Sequence, residues 1–187
     1  MPSGLVDLAD GTKKYLKPRL DETAFGREVE MLGKIRNAGF GDEFRTSRIA
    51  GIVVSGQEDS LVLGMLLDFI YPPKEGRHFM DRGIVSMSDK FSKWERQVRE
   101  TVEQLHSRYV VWGDVNPCNV VIDEQFDAWV IDFGGSNNVE FVDDEKVETV
   151  EGDWQGVDRL FGRYLTGPRE LEHSSDSYLG AIYGTAE

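Results

Sequence analysis

Residues 112–135 read WGDVNPCNVVIDEQFDAWVIDFGG. Two runs rich in apolar, β-branched and aromatic residues, NVVID at 119–123 and AWVID at 128–132, flank the polar turn EQFD at 124–127. That is the pattern of a β-hairpin. A four-residue loop sets Asp123 opposite Ala128, and counting back sets Asn119 opposite Asp132. Directly opposed residues of an antiparallel pair have Cα atoms about 4.5–5.5 Å apart, so an amide oxygen and a carboxylate meet at the open end of the hairpin. Asp114 enters the same end, five residues before Asn119. Three oxygen-bearing side chains gathered in this way suit Mg²⁺, which takes a few carboxylate ligands and completes its shell with water and phosphate oxygens.

Working outward, the spacing of Phe91, Trp94, Val98, Val102, Leu105 and Tyr109 predicts a helix over 89–109 with Ser88 as its cap. A second apolar helix is expected over about 153–165, carrying Trp154, Val157, Leu160, Phe161 and Tyr164 on one face. The start, GLVDLADGTKKYLKPRL, reads as two short strands turning at Asp10-Gly11. A helix over 24–36 follows, with Thr23 as N-cap, Phe25, Val29, Leu32 and Ile35 facing inward, and Arg27, Glu30 and Lys34 facing elsewhere. Glu28 falls on the buried edge of that helix, a place where a charge needs a partner. IAGIVVS and SLVLGMLLDFI are strands separated by the turn GQED, and YPPKEGRH at 71–78 is a linker. Beyond Thr166 the chain is a polar tail. Strands dominate the first part and helices the second, which predicts an α+β protein in two lobes.

Composition narrows the partners. With 34 acidic against 21 basic residues the 187-residue chain carries a formal charge of −13, which opposes binding to nucleic acid or to anionic membrane. A nucleotide would need local cations or metal ions. The one cysteine, Cys118, allows no internal disulfide framework and has no base beside it in sequence to activate it as a nucleophile. No signal peptide and no run of membrane-spanning length is evident, so a cytoplasmic or nuclear location is expected. His106 reads as structural, and Trp94, Trp129 and Trp154 as core residues.

The stretch LHSRYVVWGDVNPCNVVID…WVIDFGG resembles the catalytic segment of protein kinases, H-R-D-x-x-x-x-N followed by D-F-G. The resemblance runs from about residue 5 to 165, and the wording looks especially like that of divergent kinase-like proteins of filamentous fungi. It implies a two-lobe protein-kinase-like fold: a β-rich N-lobe with an αC-type helix over 1–71, a truncated helical C-lobe over 72–165, and a tail over 166–187. It implies ATP and Mg²⁺ as cofactors and a hydroxyl-bearing acceptor, a protein Ser/Thr, as substrate. Asp114 then corresponds to the catalytic base, and Asn119 and Asp132 to the Mg²⁺ ligands. Lys17 would contact the α/β-phosphates with Glu28 as its partner. Asp68, Phe69 and Ile70 would meet the adenine through their backbone, and Asp153 would hold the catalytic loop by hydrogen bonds.

The sequence departs from that pattern at four places. No glycine-rich loop precedes Lys17, and the GFG at 39–41 follows the helix. Trp112-Gly113 replaces His-Arg before Asp114, which removes the arginine that would grip a phosphorylated loop. Asn116 stands where a lysine usually contacts the γ-phosphate, and no A-P-E follows the short stretch after Asp132. Two other functions therefore stand beside the phosphotransferase: a pseudokinase acting as a binding or scaffold module, and a small-molecule kinase.

Overall fold

A computed structural model of the protein describes residues 3–41, 43–56, 61–136 and 138–167. Most of the GQED turn and the tail beyond 167 lie outside the described residues. The fold is mixed α+β. Strands β1 (Gly4–Asp7), β2 (Lys13–Pro18), β3 (Ile49–Val54) and β4 (Val62–Asp68) form an antiparallel sheet in the order β1-β2-β4-β3. Helix α1 (Glu22–Asn37) joins β2 to β3. After the linker come a single turn α2 (Arg82–Val85), the long helix α3 (Phe91–His106), the hairpin β5 (Val120–Ile122) and β6 (Ala128–Val130), and α4 (Val150–Arg159), which continues as a π-type turn over Leu160–Tyr164. Among the described residues no helix is long and apolar enough to cross a membrane.

One hydrophobic core serves both parts. Leu32 and Ile35 of α1 and Met65 and Leu67 of β4 belong to the same buried cluster as Trp94, Val98, Val102 and Leu105 of α3. The segment after α1 closes the seam. Val130 N donates to Arg45 O (2.9 Å) and Ser47 N donates to Val130 O (3.2 Å), so residues 45–47 lie alongside β6.

Four details differ from the sequence expectation. Helix α1 is capped by Asp21, whose carboxylate accepts from Ala24 N at 2.7 Å, rather than by Thr23. Aspartate is the stronger cap, and the earlier start brings Glu22 to the positive end of the helix dipole. Ser88 opens a 3₁₀ turn ahead of α3 and makes no side-chain cap. Tyr109 is not part of the α3 stripe: it has φ 58° and is 92% exposed. Val110 N donates to Leu105 O and Tyr109 N to His106 O, the two hydrogen bonds of a Schellman ending, which turns buried Val110 inward in place of Tyr109.

The fourth difference reaches the site. Val120 pairs with Val130 and Ile122 with Ala128, so the hairpin loop has three residues, Glu124–Phe126, not four. Phe126 supplies the left-handed residue (φ 59°) that three-residue loops place before the second strand. The buried Asp123 carboxylate templates the turn by accepting from Gln125 N, Asp127 N and the Trp129 indole. Asn119 consequently lies opposite Ile131, whose N donates to Asn119 O at 3.0 Å, and not opposite Asp132.

Two glycines test the packing. A Cβ at Gly33 of α1 would meet open space, whereas at Gly156 of α4 it would lie 2.6 Å from Val115 Cβ. Gly33→Ala is expected to raise stability by about 0.5–1 kcal/mol through helix propensity. Gly156→Ala is expected to lower it by about 1–2 kcal/mol, because overpacking outweighs the same gain. Urea unfolding reads both; a stabilising Gly156→Ala would contradict the close approach of α4 to the loop that carries Asp114.

Candidate active site

Lys17 is the hub. β2 alternates its side chains, and Pro18 ends it within three residues of the Asp21 cap, so Lys17 leaves the sheet on the side where α1 begins. Its ammonium lies 2.5 Å from Glu28 Oε2 and 2.8 Å from Asp132 Oδ1. Glu28 is 1% exposed, which answers the question raised by a carboxylate on an apolar helix edge. Burial works against the Lys17 charge, but the Asp132 and Glu28 carboxylates outweigh it and hold the ammonium pKa above its ordinary value. Burial pushes the Glu28 carboxyl up, and Lys17 offsets that only in part.

Asp132 leaves β6 with φ 62°, a left-handed backbone that a non-glycine residue adopts at a cost of about 1 kcal/mol or more. That rotation carries its carboxylate out of the ladder to Lys17, and Oδ1 also accepts from Gly134 N at 3.2 Å. Asn119 reaches the cluster by another route. The 3₁₀ turn Pro117–Asn119 folds it back so that Nδ2 donates to Asp114 Oδ2 (2.8 Å) and Asp114 O (3.0 Å). The amide nitrogen is thereby spent on Asp114, leaving the amide oxygen as the donor atom Asn119 can offer a cation. Asn116 Nδ2 donates to Asp114 Oδ1 at 2.9 Å, and its own Oδ1 caps the turn by accepting from Cys118 N. The two asparagines therefore clamp both oxygens of Asp114.

Burial, and next the Asp132 carboxylate, raise the Asp114 pKa to about 6 against the opposing pull of Asn116, Asn119 and Lys17. A carboxylate poised near neutrality is matched to proton transfer. The native state holds this proton more tightly than the unfolded chain, so Asp114 withdraws stability as pH rises from 3.8 to about 6.

The loop before Asp114 is held by Asp153. This carboxylate, 1% exposed, accepts from Trp112 N and Gly113 N, both at 2.8 Å, and lies 2.7 Å from His106 Nε2. Thr149, not Asp153, caps α4. His106 is thus a strut between α3 and α4, stacked edge-on to Trp154.

Arg27 is the residue the sequence reading missed. Expected to face away, it instead turns its guanidinium to the carbonyls of Val111, Trp112 and Phe133 and pairs with Glu148 at 3.5 Å. Gly113 (φ 78°) is required on two counts: its backbone is left-handed, and a Cβ there would strike the Arg27 guanidinium. A Cβ at Gly135 would strike Glu148. These two glycines were the only trace of Arg27 in the sequence.

The residues expected at the base end lie at the close of β4 and just beyond it. Asp68 N donates to Arg48 O (2.9 Å), so that amide faces β3, and its carboxylate pairs with Lys14 at 2.6 Å. Phe69 packs edge-on to Tyr71, and Ile70 lines a cavity of about 330 Å³ with Tyr71, Glu124 and Trp129. Among the described residues, no three or more His, Cys, Asp or Glu side chains are gathered to hold a metal by themselves. No protein-family model matches this chain, and neither does any curated protein.

Two measurements follow from this geometry. Lys17→Met leaves Glu28 and Asp132 without a cation and is expected to cost about 3 kcal/mol in urea unfolding at pH 7. The loss shrinks as pH falls and Glu28 takes up a proton, and Lys17→Met/Glu28→Gln recovers most of it; no recovery would show that Lys17 acts by packing alone. NMR titration of the Asp114 carboxyl is expected to give a midpoint near 6, moving down in Asp132→Asn as the like charge disappears. A midpoint unmoved by that substitution would separate the two carboxylates.

Proposed function

We propose that the chain is an ATP- and Mg²⁺-dependent phosphotransferase of the protein-kinase-like two-lobe fold, acting on a Ser/Thr hydroxyl. One observation carries the reading: a single lysine, held by a buried glutamate, faces Asp132 and Asp114 in one cluster. With all three carboxylates ionised the cluster retains two uncompensated negative charges, the complement of a divalent cation. The donor set fits Mg²⁺, since the Asn119 amide oxygen and the Asp132 carboxylate are hard oxygen ligands and phosphate and water complete the shell. Bound there, the metal would neutralise charge on the transferring phosphoryl group.

The chain's own residues divide the remaining work. Lys17 supplies a fixed positive charge to the phosphates, and Glu28 keeps it in place. Asp114 takes the proton of the acceptor hydroxyl; Asn116 and Asn119 fix its two oxygens so that no reorganisation is needed at that moment. Asp153 and Arg27 hold the loop backbone that leads into Gly113, Asp153 by its N–H groups and Arg27 by its carbonyls. A second reading, a binding module without transfer, is favoured by Asn116. This residue is committed to Asp114 and Cys118, and it leaves the cluster one cation poorer than an active phosphotransferase would have it.

A thermal-shift titration with ATP, with and without Mg²⁺, tests the site. Ligand at a hundredfold excess over Kd adds about 2.7 kcal/mol. The expected result is a Mg²⁺-dependent rise that Asp132→Asn loses and Asp114→Asn keeps, with phosphoryl transfer abolished in Asp114→Asn. Binding without transfer in the wild type selects the binding module; no rise at millimolar ATP contradicts both.

A further inference from the structure

Arg77 crosses from one part of the molecule to the other. Its main chain belongs with the hairpin: Arg77 O accepts from Ile122 N at 2.7 Å, and His78 bridges Val121. Its guanidinium lies instead against the sheet, 5.3 Å from the centre of the Tyr15 ring and 5.7 Å from that of Phe69. In β2, Tyr15 and Lys17 share a face because alternate residues do, and they stand about 7 Å apart along the strand. Their partners on β4, Leu67 and Met65, share that face as well, and both are buried. The guanidinium therefore occupies the same side of the sheet as the Lys17 ammonium, two residues further along.

The Arg77 main-chain N donates to Asp81 Oδ2 at 2.5 Å, but among the described residues no carboxylate pairs with the guanidinium, in a chain that carries a formal charge of −13. A guanidinium with no carboxylate partner among the described residues, laid near two aromatic rings, is held by stacking and by the ring quadrupoles. A flat aromatic base seeks the same two surfaces. Resting on the reading of Lys17, Asn119 and Asp132 as a metal–phosphate site, we propose that the Arg77 guanidinium fills the Tyr15–Phe69 slot beside it. The site then recognises the Mg²⁺–polyphosphate end of a ligand and gains little from the base. Entry of a base has to displace two cation–π contacts, which lowers its affinity by about tenfold.

Isothermal titration of the full chain in Mg²⁺ with tripolyphosphate, ATP and GTP tests this. In the wild type all three are expected to bind within about threefold of one another. Arg77→Ala, which leaves the main-chain bonds intact, is expected to tighten ATP about tenfold and leave tripolyphosphate within about threefold; Arg77→Ser serves as a second variant should the first fold poorly. Wild-type preference for ATP over tripolyphosphate by tenfold or more, or no gain for ATP in either variant, overturns the slot proposal while tripolyphosphate binding lost in Asp132→Asn leaves the phosphate site standing. Failure of tripolyphosphate to bind the wild type overturns the phosphate site and the slot with it.

Discussion

The Lys17 ammonium between Glu28 and Asp132 is the contact on which the arrangement turns. It joins β2, α1 and the exit of β6, segments separated by up to 115 residues along the chain. Burying the Glu28 carboxylate is costly, and the Coulomb gain repays it only while Lys17 stays in place. Removal of Lys17 leaves both carboxylates uncompensated, the buried Glu28 most of all. The position of α1 relative to the hairpin is therefore fixed by charge as well as by the packing of Leu32 and Ile35. Arg27, one residue before Glu28, fastens the same helix turn to the carbonyls of Val111, Trp112 and Phe133. Adjacent residues of opposite sign thus grip strand β2 and the loops on either side of the hairpin.

Around that hub the molecule uses buried carboxylates as templates for irregular backbone. Asp123 organises the hairpin loop, Asp153 holds the turn before Asp114, and Asn116 and Asn119 act as neutral counterparts on the Asp114 side. Each satisfies main-chain N–H or side-chain groups that the tight turns leave without partners. Strain gathers in the same region. Asp132 and Glu148 adopt left-handed backbones without being glycine, and each presents a carboxylate to a cation from the sheet or α1. Conformational cost at these positions is offset by charge pairing, as expected where geometry serves a site rather than stability. The elevated Asp114 pKa has the same character, since the fold keeps a carboxylate near Asp132 at the expense of its own stability.

The strands, α1, α3 and the hairpin were legible because their apolar periodicities are strong, and the α+β class followed from their order. Glu28 was legible as a misfit, a charge on an apolar edge that demanded a partner, and the resemblance to protein kinases pointed to Lys17. The hairpin register was not, because the left-handed loop position is filled by Phe126 and no Asn or Gly marks it. The one-residue slip removed the direct opposition of Asn119 and Asp132. Asn119 nevertheless meets Asp114 through the 3₁₀ turn, and Asp132 meets Lys17 through its positive φ. Tyr109 fooled the helical pattern for the same reason as Phe126, a left-handed residue without a glycine to announce it. Arg27 could not be found from periodicity, since its partners are backbone carbonyls, which leave no mark on composition, and Glu148, which lies 121 residues away in sequence.

The most direct measurement is NMR line broadening by Mn²⁺·ATP, with the paramagnetic ion in place of Mg²⁺ as a reporter of position. A metal held by Asn119 and Asp132 predicts that the amide signals of Asn119, Phe133 and Gly134 broaden first and those of the outer face of α3 stay sharp. Broadening that begins instead at Glu95, Glu100 and Glu103 on α3, with the Lys17 cluster unaffected, would contradict the account.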